Sequence, residues 1–274
     1  MVSGAGGLPK VVLVAADGAR AEVYLHGAHV TSWVPAGDTE RLFLSSRAEF
    51  ASGRALRGGV PVIFPQFATE GPLPKHGFAR NTAWRLVTLS PNGRARFRLA
   101  SSSATEKIWP HTFVAELLIA VEGKFLDVAL RIINTGATPL TFTAALHTYL
   151  RVDDVREAHI GGLRGLSYRD ATLEGELRQE SADEVGIVDE VNRIYFDVRS
   201  PVTVDQRDRT TIVDMRGFND VVVWNPGSAG GAALSDMEPD GYLRMLCVEP
   251  AVIGTPVTLP PSGHWIGSQR LLAR

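Results

Sequence analysis

Only one cysteine, Cys247, stands among 274 residues. No internal disulfide can form, so the fold draws on no covalent staple, and the chain suits a reducing compartment. Basic residues are not in excess: 28 Lys and Arg face 30 Asp and Glu, for a formal charge of −2. Without a broad basic field, nucleic-acid binding by counterion release is not expected. The chain lacks any uncharged apolar run of the roughly 18 residues needed to cross a bilayer, so no membrane span is expected. Met1–Lys10 is rich in Gly and small residues. It has no basic stretch leading into an apolar run, does not read as a signal peptide, and points to a cytoplasmic protein. Two catalytic signatures are also missing. No Gly-x-x-x-x-Gly-Lys-Ser/Thr loop is present for nucleotide phosphates. Ser45 and Ser46 lie in no nucleophile elbow, which argues against acyl transfer.

What is present is β pattern. Hydrophobic residues make up 45% of the chain, enough for an ordinary globular core. Lys10–Ala16, Glu22–His26 and His29–Trp33 are short runs rich in strand formers. Thr112–Val121 and Lys124–Ile133 flank Glu122-Gly123, a hairpin connection. Leu126, Val128, Leu130 and Ile132 alternate with Asp127, Ala129 and Arg131, the period of a half-buried strand. Leu140–Val152, Val202–Asp205, Thr210–Val213, Val221–Trp224, Arg244–Val248 and Val257–Leu259 continue the theme. One stretch, Ala182–Val191, reads as a short helix, with Ser181 and Glu184 placed for a capping box. The 27 Gly and 16 Pro are scattered along the length, with no repeat, linker or composition break. The expectation is an all-β sandwich or barrel forming a single domain over residues 1–274.

Three local features carry chemistry. His147 sits inside an apolar strand-like run, Ala145-Leu146-His147-Thr148-Tyr149, where a buried ring needs a partner. Glu249 follows an apolar strand in Cys247-Val248-Glu249-Pro250-Ala251, with the proline expected to end that strand. Both fit structural roles as well as proton transfer. The third feature is basic. Arg57-Gly58-Gly59-Val60-Pro61 precedes an apolar run, and Lys75-His76-Gly77-Phe78-Ala79-Arg80 follows it. Paired glycines permit close backbone approach to a ligand, and Arg and Lys suit phosphate oxygens. His26 and His29, three apart on a strand, point to opposite faces and make poor co-ligands, so no metal site is expected.

In chain order these pieces resemble a known family. They are Arg57-Gly58-Gly59-Val60-Pro61 with Phe64-Pro65, His76-Gly77-Phe78-Ala79-Arg80, Leu146-His147-Thr148-Tyr149, Val223-Trp224-Asn225-Pro226 and Cys247-Val248-Glu249-Pro250-Ala251. Together they resemble the glucose-6-phosphate 1-epimerase family (hexose-6-phosphate mutarotases) of the aldose 1-epimerase-like superfamily. The resemblance implies a galactose-mutarotase-like β-supersandwich, with His147 and Glu249 at the positions of the catalytic pair. It implies substrate contacts from Arg57, Lys75, His76 and Arg80, with Asn192 and Asp236 at further site-facing positions. Two positions depart from the family pattern. Lys75 stands where Gln is common, and Asn192-Arg193-Ile194-Tyr195 where Asp is common before Arg. The implied reaction is ring opening and closure at the anomeric carbon of glucose 6-phosphate. An ionised Glu249 would take the C1 hydroxyl proton while a protonated His147 supplies the ring oxygen. No electrons move and no group leaves the sugar, so no cofactor is expected. The expected partner is a small-molecule hexose phosphate, and the chain is expected to be a monomer. Two alternatives remain open on these residues: an epimerase of free aldoses, and a non-catalytic carbohydrate-binding module.

Overall fold

Leu126, Val128, Leu130 and Ile132 are all fully buried on strand Phe125–Asn134, as their alternation requires. A computed structural model describes residues 1–274. Phe125–Asn134 forms the expected hairpin with Phe113–Glu122. Both belong to a nine-stranded antiparallel sheet running from Glu184–Gly186 at one edge to Arg85–Ser90 at the other. An eight-stranded sheet faces it, and a four-stranded sheet at the start of the chain carries Pro9–Val14, Arg20–Tyr24 and His29–Val34. One cluster of 57 buried residues fills the space between, with Leu130 and Leu271 from one large sheet and Leu146 and Val248 from the other. The β class and mutarotase-type sandwich expected from the sequence are the architecture observed. No helix is long and apolar enough to cross a membrane.

Two local expectations are corrected. Ala182–Val191 is not a helix. Glu184–Gly186 is a strand paired with His159–Gly161. Val185 and Ile187 are buried between exposed neighbours, and that period of two wins over a weak cap. Two short helices appear elsewhere, Ser103–Ile108 and Gly227–Ala233, the first with a capping box between Ser102 and Thr105. Pro250 does not end its strand. Met245–Leu259 runs straight through it as one element.

The paired glycines have a reason in the fold itself. Gly58 and Gly59 have φ of 118° and 64°, a region that favours glycine. A Cβ on Gly58 would lie 2.4 Å from the Phe43 carbonyl oxygen, and one on Gly59 only 2.1 Å from that of Val30. This close approach brings Gly58 O within 2.7 Å of His29 Nε2. His26 Nε2 likewise meets Arg54 O at 2.6 Å. Both histidines are therefore committed to backbone carbonyls.

His29 makes the fold acid-sensitive. Burial, assisted by His26 and Arg80, pushes its pKa from 6.5 down to about 4 against the pull of the Gly58 carbonyl. The unfolded chain binds this proton below about pH 6.5 and the folded chain does not. His29's contribution is therefore intact above that pH and lost as pH falls towards 4. The gap corresponds to about 3 kcal/mol at about 1.4 kcal/mol per pH unit. Urea unfolding at pH 7, 5 and 4 should show a stability loss that is smaller in His29→Gln than in wild type. Equal losses in both proteins would contradict this assignment.

Candidate active site

Period-two geometry on neighbouring strands sorts the site from the core. On Met245–Leu259, Leu246 and Val248 point into the large core, while Cys247, Glu249 and Ala251 face the other side. Ala145 and Tyr149 share that side across the ladder, in register with Ala251 and Cys247. His147 lies between them, opposite Glu249. Two small apolar clusters flank the pair. Ile63, Phe67 and Val222 belong to one, and Phe43, Tyr149 and Met245 to the other. Between the clusters opens a cavity of about 290 Å³.

His147 Nδ1 lies 3.2 Å from Glu249 Oε1. The contact is close but not aligned as a hydrogen bond: His147 Nδ1 and Glu249 Oε2 are both buried without a partner. The His147 ring stacks on Tyr149 at 4.8 Å and 6°, and meets Trp224 edge-on at 5.8 Å. Burial, with His76, Arg80 and Arg57 nearby, holds the His147 pKa well below its ordinary value. Burial also holds Glu249 well above its ordinary value, with Arg80 working weakly against it. Loss of water thus biases the pair towards neutral imidazole and protonated carboxyl, against the ionised Glu249 and protonated His147 of the expected proton transfer. A carboxylate does lie beside His147, but loss of water outweighs that attraction for both groups.

The basic residues divide into two kinds. Arg57 is already engaged: Nη1 donates to the Tyr149 hydroxyl at 3.0 Å and Nε to Asp236 Oδ1 at 3.2 Å. Arg80 has only Nη2 donating to Lys75 O at 3.3 Å, and its buried Nε has no partner. No carboxylate pairs with it, although the guanidinium stays charged. Lys75 is exposed at the rim.

His76 enters on a backbone of φ 66°, and its Nδ1 accepts from Ala68 N at 3.2 Å. Burial and the charges of Arg80, Lys75 and Arg57 lower its pKa to about 3. The ring is therefore neutral with its proton on Nε2. Asn192 lies on strand Val191–Tyr195 opposite Trp224, and both line the cavity.

The cavity thus gathers His147, Glu249, Arg57, Lys75, His76, Arg80 and Asn192 in one place. Asp236 stands behind Arg57 rather than on the wall. Sequence reasoning missed Tyr149 as a site residue, although its place two residues beyond His147 on one strand face was a usable signal. It also missed that donor atoms of His147, Cys247 and Glu249 lie within 4.8 Å of one another, a grouping of metal-ligand type. The Cys-x-Glu spacing on one strand face was its only trace.

Comparison with known proteins agrees with this geometry. The Aldose 1-epimerase family matches residues 9–271. A protein of Cenchrus ciliaris is 38% identical over 287 residues, covering 100% of this chain and 87% of its own length. One from Salmonella typhimurium is 36% identical, covering 84% and 79%. Both carry the name "Putative glucose-6-phosphate 1-epimerase". A crystal structure of a mutarotase-class protein from Salmonella typhimurium superposes with a TM-score of 0.89 at 32% identity, covering 97% of this chain and 90% of that one. A galactose mutarotase-like protein of Lactobacillus casei shares the fold at a TM-score of 0.79 and 13% identity. The chain belongs to the aldose 1-epimerase family and is an isomerase of the sugar-epimerase class.

Proposed function

We infer that this epimerase interconverts the α and β anomers of a hexose 6-phosphate, with glucose 6-phosphate as the substrate of choice. The observation that carries this reading is the half-buried Arg80 guanidinium, its Nε buried and free of any acidic partner, on the same cavity as the His147–Glu249 pair. A cation partly withdrawn from water without a counter-ion is costly, and an incoming phosphate of about two negative charges supplies one. Lys75 at the rim adds a point charge. The names of the relatives from Cenchrus ciliaris and Salmonella typhimurium support the same substrate.

The chemistry needs one proton on the pair and one vacant site. The bias that burial gives the pair meets that count with the proton on Glu249. Moving it across the 3.2 Å contact to His147 leaves the net charge of the pair at zero. Glu249 then accepts the C1 hydroxyl proton while His147 donates to the ring oxygen. The open aldehyde rotates about C1–C2 and closes with the two roles reversed. Arg80 and Arg57 are among the charges that hold the His147 proton off. A bound phosphate offsets them and so favours the protonated imidazole. The phosphate therefore serves catalysis as well as binding, which a free hexose cannot match. Neutral His76 offers an Nε2 hydrogen to a sugar oxygen, and Asn192 an uncharged amide to a hydroxyl.

Two predictions follow from these roles. Glu249→Gln and His147→Ala should each lower kcat by about 10²–10⁴-fold while leaving the melting transition in place, measured by NMR exchange spectroscopy of glucose 6-phosphate. Turnover close to wild type in either variant would remove that residue from the proton path. Arg80→Met should raise KM and lower kcat for glucose 6-phosphate, yet should not lower any exchange of free glucose. An equal effect on both sugars would overturn the phosphate assignment and favour a free-aldose epimerase.

A further inference from the structure

The strand carrying His147 is interrupted at the residue that matters. After a register shift between Phe142 and Ala144, Ala144 and Ala145 before the break and Tyr149–Arg151 beyond it pair with Met245–Leu259 in one register, and the break falls at His147 and Thr148. The register, Ala145 with Ala251 and Val248 N donating to Thr148 O, sets Pro250 opposite Leu146. On this strand the Val248 amide faces the His147 strand, and the amide two residues on would face it again. At residue 250 that amide does not exist, because proline has no N–H. The Leu146 carbonyl is therefore left without its ladder donor, which a buried group rarely tolerates.

Thr148 supplies the replacement. Its N–H donates back to Leu146 O at 2.8 Å, closing a three-residue γ-turn with His147 at the apex. Its hydroxyl lies 3.3 Å from the same oxygen and donates to Gln269 Oε1 at 2.8 Å. Gln269 comes from the opposite sheet, on strand His264–Ala273. Thr148 and Gln269 are 0% and 1% exposed. Gln269 Nε2 has no partner at all, an arrangement that costs stability in a core. An apolar residue would pack there more cheaply. The link survives either orientation of the amide, since a hydroxyl both donates and accepts.

We propose that the Gln269–Thr148 hydrogen bond is a positioning device for His147, locking from the core side the turn that aims the imidazole at Glu249. Neither residue touches the cavity, so both act through His147. The proposal rests on the hexose-phosphate reading for its kinetic arm only.

The test compares wild type with Gln269→Met, Thr148→Val and Thr148→Ser. Three quantities are read: kcat and KM for glucose 6-phosphate, the melting temperature, and the ¹⁵N signals of the His147 ring. Gln269→Met and Thr148→Val should lose kcat by about ten- to a hundredfold, the scale of a small misplacement of a catalytic group, at unchanged KM. Thr148→Ser keeps the hydroxyl and should keep kcat. Gln269→Met should melt no lower than wild type, because it removes an unpartnered amide from the core. A purely structural link would instead lose stability and keep turnover. The His147 ring signals should shift in the Met and Val variants and not in the Ser variant. Should Thr148→Val not fold, Gln269→Met carries the comparison. Unchanged kcat or unchanged ring signals in Gln269→Met overturn the proposal. If wild type exchanges no hexose phosphate, the functional reading falls, and the ring signals alone decide for or against the positioning role.

Discussion

A missing amide hydrogen organises this site. Pro250 stands in the middle of a long buried strand and withholds one ladder hydrogen bond from its neighbour. The neighbour answers with a turn at His147, and that turn sits directly opposite Glu249. The register is the same on both sides of this turn, and the other shift on the strand lies further back, between Phe142 and Ala144. This is the usual relation between a rigid scaffold and a locally unusual backbone. The glycines at 58 and 59 have a supporting part. They let the segment carrying Arg57 pass close to the backbones of Phe43 and Val30, so Arg57 reaches Tyr149 and Asp236.

Burial is the second determinant. Removing water from both members of the His147–Glu249 pair favours the neutral form of each. On the proposed function, the proton count that anomer exchange needs is preserved, with the bias of burial towards Glu249. The surrounding cations deepen that bias. They also create the demand for an anion, since Asp236 answers Arg57 and nothing answers Arg80. On the proposed function, selectivity for a phosphate sugar and readiness for proton transfer come from one electrostatic arrangement.

The β architecture was legible because it depends on period two, and the alternation at Leu126–Ile132 survives folding unchanged. Ala182–Val191 misled because Ser181 and Glu184 mimic a cap, whereas the burial of Val185 and Ile187 depends on partners distant in sequence. The segments holding His147, Glu249, Arg57 and Arg80 were recognisable as pieces. Their convergence on one cavity depends on register, which no local pattern states. Charge state was not legible at all, since it follows from how completely water is excluded. The same holds for Gln269, an ordinary polar residue in an alternating strand whose significance lies across the sandwich. Pro250 was noticed and misread, because its effect falls on the adjacent strand and not on its own.

The most direct measurement of the central claim is the rate of anomer exchange in glucose 6-phosphate, beside free glucose and galactose, with the wild-type protein at neutral pH. The account predicts acceleration of the phosphate sugar well beyond either free sugar, because only the phosphate answers Arg80 and raises the proton affinity of His147. Equal acceleration of the free sugars, or acceleration of those alone, would contradict it.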